Sequence, residues 1–119
     1  MKILTAQRMA HIYDCIREFP PYNRWKLPPS DEVEFRLTAR TDRHGDFSTT
    51  CYNPLDNPRI MLSYVKHSHF DSVVRTLAHE MIHLAQAIAK TATATEHNED
   101  FQERAKLVCK NFGFDFGQF

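Results

Sequence analysis

The chain has 119 residues, 42% of them apolar and 12% aromatic, and its 15 basic and 15 acidic side chains leave no net formal charge. This length bounds a single domain, residues 1–119, that buries about two-thirds of its unfolded surface, and the charge balance excludes a global field for steering nucleic acid or anionic membrane. Cys15, Cys51 and Cys109 include no CxxC pair, which excludes a disulfide framework and a cysteine zinc ribbon; with no signal peptide and no apolar run of spanning length, the expected setting is the cytoplasm, without a membrane partner.

Residues 1–19 read as an amphipathic helix. Thr5 is the expected N-cap, Leu4 and Met9 fit a hydrophobic staple, and Met9, Ile12, Tyr13, Ile16 and Phe19 recur as one apolar stripe. Pro20-Pro21 stops the helix. His11 falls on the side or solvent face and is a poor candidate for a ligand. Residues 22–30 form a proline-bounded connector in which Trp25 is expected to pack onto the domain. Arg24 and Lys26 beside it are a weak nucleic-acid signal, more in keeping with a solvated loop.

Val33, Phe35, Leu37 and Ala39 alternate with polar neighbours, the pattern of a half-buried strand. Thr41–Asp46 reads as a turn with Gly45 at a left-handed position, and Phe47–Tyr52 returns as the second arm of a hairpin, with His44 solvated. Arg59–Val65 reads as a third strand with Ile60, Leu62 and Tyr64 on one face. His67 and His69 follow in a connector, where an i, i+2 pair has no fixed geometry, so they read as surface or helix-entry residues. Ser68 or Asp71 is the expected cap of the next helix, which runs to about Ala89.

That helix carries His79-Glu80-Met81-Ile82-His83. At helical spacing His79 and His83 lie one turn apart on one face, so both imidazoles can reach one metal ion, while Glu80 is placed to take a proton from a metal-bound water. Such a triplet can arise by accident on a solvated helix. Here Val74, Leu77 or Ala78, Met81, Ala85 and Ile88 form an apolar stripe, so the histidines stand at the border of a buried face. An imidazole there costs free energy unless its nitrogens are partnered.

A short loop, Thr91–Thr95, leads to the last helix. Asn98 is its expected N-cap, Glu99 and Asp100 suit the first turn, and Phe101, Ala105, Val108 and Phe112 give its buried face. Gly113 is the expected stop. A catalytic zinc site needs a third protein ligand, and His97, Glu96, Glu99 and Asp100 are all within reach of a loop that folds back.

The stretch Thr76–Gln86, together with His97-Asn-Glu-Asp-Phe101 and Val108-x-x-x-Phe112-Gly113-Phe114, resembles the SprT-like metallopeptidase domain. There a histidine opens the last helix with an aromatic residue four positions on. The likeness spans nearly the whole chain, with the motif helix its specific part. It implies a small zincin-like α+β fold: an N-terminal helix, a three-stranded sheet, the HExxH helix and a C-terminal helix. It also implies Zn²⁺ held by His79, His83 and His97, with Glu80 as the catalytic base of peptide hydrolysis. Members of the family act on proteins, several on proteins bound or crosslinked to DNA. The chain differs from the bacterial type in having no cysteine zinc ribbon after the last helix, and from the eukaryotic type in having no long DNA-binding tail.

The expected partner is a polypeptide, read by strand addition if the third strand is a sheet edge. DNA stays open as a partner but is unsupported by charge: Arg36, Arg40 and Arg43 line up near the first strand, and weak, salt-sensitive binding is the expectation. A monomer is expected. The alternative function is a zinc-binding module without proteolytic activity that serves in protein or DNA interaction.

Overall fold

A computed structural model of the chain describes residues 4–39, 41–42, 45–48 (backbone alone), 57–64 and 69–119. Helix α1 spans Ala6–Arg17, strands β1, β2 and β3 span Glu34–Thr38, Gly45–Ser48 and Arg59–Ser63, and helices α2 and α3 span Phe70–Ala89 and Glu99–Phe112. The result is an α+β fold. Among the described residues no helix is long and apolar enough to cross a membrane.

Local sequence accounts for most helix ends. The Thr5 hydroxyl accepts from the Arg8 amide at 3.1 Å and starts α1. Met9, Tyr13 and Ile16 then face the core. The expected stripe overreaches at Phe19, which lies past the Glu18 cap and is 56% exposed. Once the helix has ended, its period no longer turns Phe19 inward. The Asn98 side chain caps α3 by accepting from the Phe101 amide at 2.9 Å, and Gly113 ends it at φ 79°, a left-handed position that suits glycine. At the start of α2 the cap position belongs to His69, whose side chain makes no capping bond. Asp71 sits inside the first turn, and Ser68, like His67, lies outside the described residues.

The sheet departs from a simple hairpin. Its order is β1-β3-β2, with β1 parallel and β2 antiparallel to β3. β1 and β2 therefore flank β3 and share no tight turn, which overturns the hairpin expected across Thr41–Asp46. It also overturns β3 as a candidate edge strand, because both its sides are paired. The physical reason lies in burial. Ile60 and Leu62 are fully buried and stand beside Phe35 and Leu37 in register, so the most apolar strand takes the centre. Arg36 on β1 is exposed, and polar strands suit edges. Tyr64 follows the end of β3 and is exposed, so it does not extend that face. The expected strand residues 49–52 and 65, the turn residues Arg43 and His44, and Arg40 lie outside the described residues.

Helix α1 packs on β1 and α2, while α2 packs on β2, β3 and α3. The core between them contains Met9, Tyr13, Ile60, Leu62, Leu77, Met81, Ile82, Leu84 and Val108. Helix α2 is buried almost all round, well beyond the expected stripe. The connector is tied down at both ends. The Tyr13 hydroxyl donates to the Pro28 carbonyl at 2.6 Å, and the Asp14 carboxylate accepts from the Ser30 amide and hydroxyl. Tyr22, fully buried, donates to the Ala78 carbonyl on α2. Burial pushes the Tyr22 phenol far above its ordinary ionisation range, so it stays a donor. Trp25 packs onto the domain as expected, edge-on to Tyr22 at 5.1 Å and covered by the Arg104 guanidinium at 4.9 Å.

Candidate metal centre

Helix α2 carries two of the candidate residues in its middle, where its backbone is most constrained. The rings of His79 and His83 lie 5.3 Å apart, as i, i+4 residues on one helix face should. The helix is so buried that both rings are only partly exposed. Burial, with neighbouring imidazoles adding repulsion between charged forms, lowers each ring from an ordinary 6.5 to about 4. Both are therefore neutral at pH 7 and keep a lone pair. Glu80, between them in sequence, is 6% exposed and three residues from His83, so it lies near the same face.

The third ring arrives from a loop. Helix α2 ends at Lys90, whose backbone is left-handed, and the Thr91 amide donates back to the Gln86 carbonyl at 3.0 Å. The chain then turns through residues 91–97 and enters α3 at Asn98. His97, just before that cap, stands 5.0 Å from His79 and 5.3 Å from His83, ring to ring. One nitrogen from each of the three rings lies within 4.8 Å of the others, and this is a group that could hold a metal ion. Of the other third-ligand candidates, Glu96 and Glu99 are exposed and outside this group. The Asp100 Oδ2 is already used, accepting from Thr91 at 2.7 Å, Arg104 at 2.8 Å and Gln86 at 3.0 Å.

Tautomers sharpen the chemistry. His79 Nδ1 lies 2.9 Å from the Phe119 backbone oxygen, which can only accept, so Nδ1 carries the proton. In the neutral ring Nε2 then presents a lone pair, and it lies 3.2 Å from His97 Nε2. Converging imidazole nitrogens of this kind are borderline donors suited to zinc. The donor set fits the metal.

Several residues take part in the site beyond the roles expected of them. Phe101, buried beneath the cluster, lies 5.0, 4.8 and 4.5 Å from His79, His83 and His97, an apolar floor for all three rings. Its place in the apolar stripe of α3 marked it as core, and only the return of the loop adds this second role. Gln86, 1% exposed, donates to Asn98 Oδ1 at 2.9 Å as well as to Asp100, fastening the entry of α3 to the motif helix. Asn98 in turn donates to the Thr91 carbonyl at 3.0 Å and Thr93 Oγ1 at 3.1 Å. Phe119 reaches His79 from 40 residues away, and no local pattern announces that contact. His11 is exposed on α1 and His69 is exposed at the start of α2; neither belongs to the cluster.

No curated protein and no solved structure matches the chain. A family model described as SprT-like matches residues 12–116, which takes in the sheet, the motif helix, His97 and α3, and the chain belongs to the SprT-like family.

Proposed function

We propose that the protein is a zinc-dependent peptidase of the zincin type, with His79, His83 and His97 holding Zn²⁺ and Glu80 acting as general base. The observation that carries this reading is the convergence of three imidazole nitrogens within 4.8 Å, with the buried Glu80 next to His79 on the same helix. A structural zinc site closes its shell with four protein ligands, whereas a three-histidine set leaves a position for water or substrate. Zinc bound there would supply Lewis acidity towards a carbonyl and lower the pKa of water to about 7.

The chain's own residues do the rest. Glu80 accepts the proton of the attacking water and returns it to the leaving nitrogen. The buried surroundings strengthen each of its electrostatic interactions over their value in water. His79 stays neutral because burial and the neighbouring His97 disfavour its charged form, Phe119 holds its Nδ1–H, and the Phe101 ring lies against all three imidazoles. A polypeptide in extended form would add to the β2 edge, since β2 is the edge strand packed on α2. Backbone pairing of that kind favours flexible protein segments as substrates, and the zero net charge favours substrates reached without anchoring to DNA.

Metal analysis of the purified protein and cleavage of a flexible protein such as casein, with and without single-stranded DNA, test the reading. Glu80→Gln is expected to keep the metal and lose about 10²–10⁴-fold in rate. Unchanged proteolysis in that variant overturns the mechanism. Zinc bound at full occupancy with no cleavage under any condition makes the chain a zinc-binding module.

A further inference from the structure

Both ends of α3 are tied to the site. Its first residues follow His97, and the segment after it returns to His79. Gly113 turns the chain out of the helix at φ 79°, and the Asp115 carboxylate then accepts from the Gly117 amide at 3.0 Å to form a tight turn. Phe116 in that turn lies 5.9 Å from Lys106, ten residues back along α3, so the segment doubles back along the helix. Aromatic stacking guides it. Phe114 stacks on Phe112 at 5.6 Å and on Phe119 at 5.7 Å, with interplanar angles of 22° and 17°. Phe112 itself packs edge-on against Tyr22 at 5.7 Å, and Tyr22 holds the Ala78 carbonyl next to His79. The stack ends at the site, with the Phe119 ring 5.4 Å from the His79 ring and the Phe119 backbone oxygen 2.9 Å from Nδ1.

We propose that residues 113–119 form a strap that positions His79: the Phe119 backbone oxygen fixes the ring in the Nδ1–H form with Nε2 turned to the site, and the Phe119 ring sets its tilt. An unrestrained neutral imidazole exchanges its proton between two nitrogens, and only one of the two forms offers Nε2 as a donor. The strap removes the wrong form before a metal arrives. It contributes no ligand and touches no reacting atom, so Phe119 is a positioning residue. The consequence for metal affinity rests on the zinc reading above, whereas the tautomer stands without it.

Long-range ¹H–¹⁵N correlation spectra of the metal-free protein at pH 7 read the tautomer directly. The expected result for the full chain is a pyrrole-type Nδ1 and a pyridine-type Nε2 at His79. Deleting residues 115–119 should give averaged shifts at that ring, with helical circular dichroism retained, and should weaken zinc in a chelator competition by about 10–100-fold. Phe119→Ala keeps the backbone oxygen, so it should keep the tautomer and lose less affinity than the deletion. A full chain whose His79 is protonated on Nε2 overturns the strap, whether or not the shortened chain folds. So does a folded deletion variant with an unchanged tautomer. A full chain that shows the expected tautomer but binds no zinc upholds the strap and overturns the zinc assignment instead.

Discussion

Helix α2 and the 90–98 loop hold their imidazoles by opposite means. On α2, His79 and His83 are fixed by the helix repeat itself, and that helix is clamped on nearly every side by core residues such as Leu77, Met81, Ile82 and Leu84. The helix sets where both rings stand, and at His79 the Phe119 backbone oxygen adds a hold on the ring. His97 is exposed and belongs to no regular element. Its position is set by side chains that bond to its neighbours: Gln86 and Thr91 to Asp100, Asn98 to Thr91 and Thr93, and Gln102 to the His97 carbonyl at 3.4 Å. One support is packing and the other is a polar network. A rigid pair and an adjustable third ring can share a metal without demanding that two buried surfaces agree to a fraction of an ångström. The variants below probe each support separately.

The largest effect should come from the rings. His83→Ala and His97→Ala each remove a proposed ligand, and zinc affinity measured against a chelator is expected to fall more than about 100-fold, beyond the range typical of losing a supporting hydrogen bond. The exposed position of His97 adds a second expectation. Its metal-free stability should change by no more than about 0.5 kcal/mol on substitution to alanine, because exposed side chains away from the core cost little. A large loss of metal-free stability in His97→Ala would show that the loop depends on that ring, and the contrast with α2 would fail.

Next comes the network. Gln86→Leu keeps the volume of a fully buried side chain and removes both donors that reach Asn98 and Asp100. The expected cost is about 1–3 kcal/mol by chemical denaturation, because the two acceptors lose a buried partner. Zinc affinity should fall about 10–100-fold as His97 loses its anchor. If stability drops while affinity holds, the remaining bonds of Asn98 suffice to place the ring.

This division also separates what the sequence made legible from what it did not. Thr5, Asn98 and Gly113 end their helices by bonds to residues three or four positions away, and the spacing of His79 and His83 needs only a helix. Such facts are local, and pattern carries them. The order β1-β3-β2 depends on which strand is buried deepest after the helices dock, and a hairpin reading of neighbouring strands could not weigh that. Gln86 looked like one more residue in a motif, since its partners lie 12 and 14 residues on and are met only when the loop returns. The polar character of a residue at 1% exposure is the signal, and burial is not printed in a sequence.

A smaller effect should appear with pH, and its window distinguishes the two supports. His79 and His83 have folded-state values of about 4 against an ordinary 6.5, so the unfolded chain takes up protons first. Stability of the metal-free protein should therefore fall as pH drops from about 6.5 towards about 4. A double variant, His79→Gln with His83→Gln, should lose that slope. Asp100 acts lower. Burial tends to raise it, but hydrogen bonds from Thr91, Arg104 and Gln86 and the Arg104 charge outweigh burial and hold it below its ordinary 3.8. Its contribution is present above that value and is lost as pH falls through the lower folded value. Asp100→Asn should flatten only the most acidic part of the curve. A slope that persists between pH 6.5 and 4 in the double variant would place the titrating groups elsewhere.

The smallest effect should be none. Glu96 stands next to His97 in sequence, carries a carboxylate that zinc would accept, and is one of four third-ligand candidates that the sequence offers. Yet it is exposed and outside the cluster that His79, His83 and His97 form. A loop residue adjacent to His97 projects in a different direction from it, and nothing in the network of Gln86, Asn98 and Asp100 turns Glu96 inward. Glu96→Ala should therefore leave zinc occupancy, zinc affinity and proteolysis where they are in the unaltered chain. That silence has weight because His97→Ala changes the neighbouring position in the same loop. A site emptied by Glu96→Ala and full in His97→Ala would reverse the two residues' roles. It would also replace a neutral ligand with a charged one, which lowers the charge zinc can bring to a substrate carbonyl and weakens the case for peptide hydrolysis.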